Sequence, residues 1–365
     1  MFRIGLNPYG FSHAVGLQAF GTPRANADGT GLRGFIRIAG EVGARCLEFD
    51  GRWLTPLKSE ELAALADELP RVPRLCSYWL QHVPGETLDE PIRAARAIGG
   101  TIIRLHLTPV LEGARAKQGA KWEQMIGHAR ETLNREARKA ADVGLEVAIE
   151  NHQDFGSDEL MAFAEEAGTN VGIALDTGNA FAVAEDPVAF AKRVAPRIKH
   201  VHLKDYVSQF TAEGFRLIRC AIGDGCVPLQ EIADVFFPRK AEATQSVGTT
   251  TSVGTAPATP TGVLSVASGF SRKDDAGIAV TASIEVGALD ARHIRVFAPD
   301  WWEGYPWRPV GELRTALDRL KTKRLDDNAD YRTPWELKQP TPAVVDYEME
   351  QLRKSVANLK ALGWI

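Results

Sequence analysis

Cysteine is scarce in this sequence: Cys46, Cys76, Cys220 and Cys226 lie scattered along 365 residues, and none forms a C-x-x-C pair. That leaves no disulfide framework to organise the fold, and reduced thiols in a cytoplasmic protein are the expectation. Cys220 and Cys226 are close enough for a metal role to be conceivable, but no second pair completes a zinc site. Long apolar runs are missing too. No window reaches the roughly 18 apolar residues of a membrane span, and the N-terminal MFRIGLNPYGFSH lacks the basic-then-apolar signal pattern. Neither sign of charge dominates. The net charge of -4 gives no general attraction to nucleic acid or to an anionic membrane. No internal repeat is visible.

What is present is an ordinary globular composition, 44% hydrophobic and 25% charged, enough for one large core. Short apolar runs recur and read as strands near Arg3–Asn7, Cys46–Asp50, Arg74–Trp79, Thr101–Leu107, Leu145–Asn151, Val171–Asp176, Ile198–Lys204 and Ile278–Val286. Helical spacing fills the intervals. Asp186-Pro187 reads as an N-cap with proline at the first helical position, and Pro196 stops that helix. Ser157 with Asp158 and Glu159 reads as the cap of a helix over Ser157–Ala167, with Gly168 suited to its C-terminal turn.

Eight strands alternating with helices imply parallel strands joined by right-handed crossovers. An open doubly wound sheet would advertise a Gly-rich phosphate turn after its first strand, and Leu6-Asn7-Pro8-Tyr9-Gly10 is not one. The expectation is therefore a single (β/α)₈ TIM barrel over residues 1–365. Residues 239–277, rich in Thr, Ser, Ala, Gly and Pro, interrupt the rhythm as a long insertion before strand eight, a flap or a partner-docking arm. The tail, residues 309–365, carries two more helical patterns that should cover the outside of the barrel.

Barrel chemistry sits at the C-terminal ends of the strands, and four ligating residues fall there. Glu150 ends the fifth strand, Asp176 the sixth and Glu285 the eighth, while His202 lies near the end of the seventh. The spacings from Glu150 to Asp176 and from Asp176 to His202 are equal, one strand–helix unit each, which should set three ligands at one height. A carboxylate at the end of an apolar strand is costly unless paired or bound to a cation. The four together predict a hard, mostly oxygen metal site, suited to Mn²⁺ first, with Mg²⁺, Co²⁺ or Zn²⁺ as alternatives.

The motifs Glu150-Asn151-His152, Asp176-Thr177-Gly178-Asn179, His200-Val201-His202-Leu203-Lys204-Asp205 and Ile284-Glu285 resemble the xylose-isomerase-like barrel superfamily, which includes sugar isomerases, epimerases and endonuclease IV. The resemblance implies the same metal role for the four ligands. Endonuclease IV-like nucleases carry extra histidines, one of them where this chain has Asn179. The later aspartate–x–histidine pair is absent as well, so DNA cleavage does not fit.

A metal in such a site can polarise a sugar carbonyl and stabilise an enediolate, and the reaction then needs a base. His152 shares the face of Glu150, two residues along, and is the first candidate. The resemblance makes the metal-bound Glu150 and Glu285 alternatives. Lys204, on the face of His202, can stabilise developing charge. Arg104 and His106 share a face of the fourth strand and can touch substrate, as can Asn179 and His200. Trp301, Trp302, Tyr305 and Trp307 follow the eighth strand and could form a stacking wall for a sugar or a planar ring.

Three readings follow. The first is a lyase resembling the catalytic subunit of C-glycoside deglycosidases, in which a histidine of a Glu-Asn-His motif acts on a metal-held 3-keto sugar and an aromatic aglycone leaves. That resemblance also implies a small β-type partner subunit, although self-association is equally open. The second is a keto-sugar isomerase or epimerase, or a decarboxylase of a related keto acid. The third is a sugar-binding barrel without turnover, against which the full ligand set and the base count.

Overall fold

The computed structural model describes residues 1–238 and 280–365, so the insertion expected at 239–277 lies outside the described residues. In chain order the first seven strands are β1 (Arg3–Leu6), β2 (Leu47–Asp50), β3 (Arg74–Trp79), β4 (Ile102–His106), β5 (Glu146–Glu150), β6 (Val171–Asp176) and β7 (Ile198–Leu203). A hairpin of β8 (Asp205–Thr211) and β9 (Gly214–Cys220) follows, then β10 (Thr281–Ile284) and the short β11 (Arg292–Ile294). Strands β1–β7 and β10 close into a parallel barrel in the order β1-β10-β7-β6-β5-β4-β3-β2. The strands are short and mostly buried, as in the all-buried VGIALD of β6. That is the pattern of a parallel sheet covered on both faces.

Helices cover the outside of the barrel with their apolar stripes turned inward. Gly31–Glu41 buries Phe35, Ile38 and Ala39, and Pro187–Val194 buries Val188, Phe190, Ala191 and Val194. Asp186 caps the second of these, accepting from the Val188 and Ala189 N–H groups. The cap of Ser157–Ala167 differs from expectation. Gly156 is the N-cap, and its N–H donates to Glu159 at 2.8 Å. Ser157 lies inside the helix and donates its N–H to the buried Glu185 at 3.0 Å.

The tail forms helices at Val310–Lys321 and Thr341–Ala361. Glu348 on the second accepts from the N–H groups of His13 and Ala14 at 3.1 and 2.9 Å, tying the tail to the loop after β1. The four cysteines are free thiols. No helix among the described residues is long and apolar enough to cross a membrane.

One element was not foreseen. Strands β8 and β9, with β11, make a separate antiparallel sheet in the order β11-β9-β8. Only Lys204 separates it from the end of β7, so it carries side chains directly over the C-terminal mouth.

Candidate metal centre

Asp176 and His202 are register partners across β6 and β7. Glu150 pairs with Ala174 instead, one pleat below Asp176, so the equal spacing does not put all three at one height. The tilt of strands in a closed barrel produces that stagger, and the long glutamate side chain makes up the difference. Glu285 follows β10, its N–H donating to Leu203 at 3.0 Å. The outcome is convergence: ligand atoms of Glu150, Asp176, His202 and Glu285 all lie within 4.8 Å of one another, and all four residues are buried.

Each ligand is aimed by neighbours. Asp176 Oδ1 accepts from the Gly178 and Asn179 N–H groups at 3.0 and 3.1 Å, which turns Oδ2 into the cluster. A side chain at Gly178 would meet the Tyr206 ring at 2.5 Å, so this tight turn needs glycine. His202 Nε2 lies 2.8 Å from Glu48 Oε2. If the proton on that nitrogen is donated to Glu48, Nδ1 faces Glu285 at 3.1 Å and Glu150 at 3.5 Å. Carboxylate–imidazole pairing of this kind fixes the tautomer of a ligating histidine. Asn7 donates to the same Glu48 oxygen at 3.0 Å, and Arg104 Nε binds the other at 2.8 Å.

The donor set fits a divalent cation. Three buried carboxylates and an imidazole nitrogen converge within 4.8 Å, and so much negative charge out of water is costly unless cations balance it. Cationic side chains flank the same carboxylates. Lys204 Nζ lies 2.5 Å from Asp176 and 2.7 Å from Glu285, and Arg104 lies 2.9 Å from Glu150. Against burial, which acts to raise it, His106 and then Arg104 hold the Glu150 carboxyl well below the usual carboxylate range. Against burial, Glu48 and then Glu150 hold the His202 imidazole well above its usual range. Metal at Nδ1 requires that nitrogen to be deprotonated.

A cavity of about 490 Å³ opens above the cluster. Glu150, Glu285, Lys204, Arg104, His106 and His152 all reach it. His152 stacks on His106 at 4.1 Å between ring centroids and 29° between planes, and its Nδ1 is buried without a partner. Burial, and then His106, push its pKa well below the ordinary imidazole value, so it stands as a neutral imidazole.

Other expected substrate contacts fall elsewhere. Trp301, Trp302, Tyr305 and Trp307 do not line the cavity. Trp301 stacks on Tyr305 at 4.5 Å, and the Tyr305 hydroxyl donates to the Asp154 carbonyl at 3.0 Å. The Trp302 indole donates to the Val296 carbonyl at 2.9 Å, and Trp307, 60% exposed, lies by the Arg115 guanidinium. These aromatics pack the loop after β11, because the extra sheet carries the chain away from the mouth before they occur.

Asn179 and His200 also sit behind the cavity. Asn179 is engaged by Asn151, Gln153 and Tyr206. The two ring nitrogens of His200 lie 2.8 and 3.0 Å from the Thr281 and Ser283 hydroxyls. The aromatic wall belongs to Tyr9, Phe20 and Trp79, with Tyr9 stacked on Trp79 at 6.0 Å. Glu48 was missed in the sequence, its one signal being a carboxylate inside the short apolar run Leu47-Glu48-Phe49-Asp50. Arg219 and Arg292, which also line the cavity, carried no motif.

A closed parallel barrel with three carboxylates and an imidazole converging under a cavity at its C-terminal mouth defines a TIM barrel with a candidate metal centre. The chain belongs to the xylose isomerase-like TIM barrel family, whose model matches residues 36–247. It is 33% identical over 104 residues to an inosose dehydratase of Clostridium beijerinckii, 27% of this chain and 33% of that one. It is 25% identical over 177 residues to the uncharacterized protein YihM of Escherichia coli, 48% of this chain and 52% of that one. The chain thus spans between a third and about half of the length of these curated relatives. Among solved structures, the probable 3-DHS dehydratase AsbF of Bacillus anthracis aligns with a TM-score of 0.47 at 17% identity, covering 64% of this chain and 88% of that one.

Proposed function

We propose that the protein is a divalent-metal-dependent lyase that removes the proton α to the carbonyl of a keto sugar and expels the group on the β carbon. The observation that carries this reading is His152. It is a neutral imidazole with an unpartnered Nδ1, on the cavity wall beside the four-ligand set yet outside it. That is the disposition a general base needs. The partial match to a dehydratase supports elimination as the reaction class.

Glu150, Asp176, His202 and Glu285 would hold the cation, Mn²⁺ by preference for a mostly oxygen set. Bound there, it supplies Lewis acidity to the substrate carbonyl. His152 takes the α proton. The electron pair left on carbon moves into the enediolate, whose negative charge the Lys204 ammonium and the Arg104 guanidinium face. Collapse of the enediolate re-forms the carbonyl, makes the carbon–carbon double bond and breaks the bond to the leaving group. A proton returned to that group completes the balance.

Among leaving groups, the C-linked aromatic aglycone of a 3-keto C-glycoside suits the wall of Tyr9, Phe20 and Trp79. A small β-type partner subunit or self-association belongs to the same reading. The test is aglycone release from a 3-keto C-glycoside by manganese-loaded wild type and His152→Ala, with metal content measured in both. Full metal content with release lost in the variant is expected. Near-normal release by the variant would remove His152 as the base.

A further inference from the structure

Two arginines stand over the cavity with nothing to pair with. Arg219, on β9, is 7% exposed, and its Nε and Nη1 are buried without a hydrogen-bond partner. Arg292, on β11, has its Nε in the same condition. Both line the cavity together with Glu285, Lys204 and His152. Register explains their proximity. Arg292 is paired across the sheet with Leu217, and Arg219 is two residues further along β9 on the same face. Among the described residues, neither guanidinium makes an ion pair. The nearby acids are committed elsewhere: Glu112 accepts from the His293 N–H at 3.2 Å, and Asp290 lies 3.4 Å from the Trp335 indole nitrogen. Burial, and then the like charge of Arg219, lower the pKa of Arg292.

Two like charges, desolvated and side by side, are an expensive arrangement for a fold to keep. Every other strongly buried arginine in the site is paired: Arg104 binds Glu48 and Glu150. A planar guanidinium presents a fork that matches an oxyanion, and two of them at the rim of a cavity whose floor is the metal centre make a receptor for one. We infer that Arg219 and Arg292 bind an anionic group on the substrate, a carboxylate or a phosphate monoester, and so select an acidic keto sugar or glycoside over a neutral one. The inference rests on the lyase reading for the location of the reacting carbon, and it narrows the substrate class. The sheet that carries both arginines is the element added to the barrel between β7 and the C-terminal helices, so the anion preference is a property of that addition.

The experiment is calorimetric binding to the manganese-loaded full-length protein. Its probes are D-fructose, 5-keto-D-gluconate and D-fructose 6-phosphate, which differ in carrying no anion, a carboxylate or a phosphate. At least one anionic probe is expected to bind about tenfold or more tightly than fructose, the scale of one charge-assisted hydrogen bond. Tighter keto-gluconate assigns a sugar acid, and tighter fructose 6-phosphate a sugar phosphate. In Arg219→Gln and in Arg292→Gln that preference should fall to about twofold or less, with manganese affinity unchanged. Binding of both anionic probes to wild type no tighter than fructose, or a preference that survives both substitutions, overturns the inference.

Arg219→Met guards against a merely structural role. Removing an unpaired buried charge should leave the melting temperature unchanged or raised while the preference is lost, whereas a lowered melting temperature with the preference intact contradicts the proposal. These readouts are affinities. Failure of the aglycone-release assay would count against the lyase reading and leave the anion preference to be decided on its own numbers.

Discussion

At the scale of single residues, the proposed reading separates groups that would hold a cation from a group that would move a proton. Glu150→Ala or Asp176→Ala should lose bound manganese and activity together, measured by metal analysis and by turnover. His152→Ala should keep the metal and lose about two to four orders of magnitude in turnover, the usual worth of a general base. Glu48→Gln changes no ligand, yet it removes the carboxylate that sets the His202 tautomer. A loss of about 10- to 100-fold in metal affinity is expected, and unchanged affinity would show that Glu48 serves only charge balance. Because burial holds His152 below the ordinary imidazole range, its base form persists as pH falls past about 6.5. The acid limb of the pH–rate profile should therefore lie well below that value, and a limb near it would mean a different base. The convergence of Glu150, Asp176, His202 and Glu285 was readable because carboxylates at the ends of apolar strands have few structural excuses. Glu48, Arg219 and Arg292 were not, because a lone charge in a short segment looks the same whether it faces the cavity or the solvent.

At the scale of elements, the barrel strands were legible and the added sheet was not. β3 and β6 fall on the expected limits, and the others differ by a few residues at their ends. The hairpin β8–β9 was hidden because only Lys204 separates it from β7 and it reads as more of the same strand, although Gly214 and the alternation in Gly214–Cys220 mark it. That omission displaced the Trp-rich loop. With the extra sheet in place, Trp301 and Tyr305 pack inward away from the mouth, so Trp302→Ala should leave substrate affinity unchanged while Trp79→Ala raises KM. The reverse pattern would restore the loop as the binding wall. Asp205 anchors the hairpin, its two oxygens accepting from the N–H groups of Tyr206, Gly223, Gly225 and Val227. Asp205→Ala leaves several buried donors unpaired and should cost at least about 2 kcal/mol, read as a shift of the denaturation midpoint.

At the scale of the whole molecule, fold class followed from alternation and strand count, whereas reaction class depends on what converges over one cavity. The metal centre gathers four strands from half the barrel, so cation binding should also stabilise the fold. At one hundred times the dissociation constant, mass action adds about 2.7 kcal/mol, and chelation should lower the melting temperature accordingly. The direct test of the central claim is mass spectrometry of the manganese-loaded protein in deuterated water with 3-keto C-glycosides and free keto sugars. Manganese-dependent release of the aglycone, with solvent deuterium found in the released fragment, is the predicted result. Deuterium uptake into an intact, isomerised sugar would make the protein an isomerase, and neither exchange nor release at full metal occupancy would contradict proton abstraction at this site altogether.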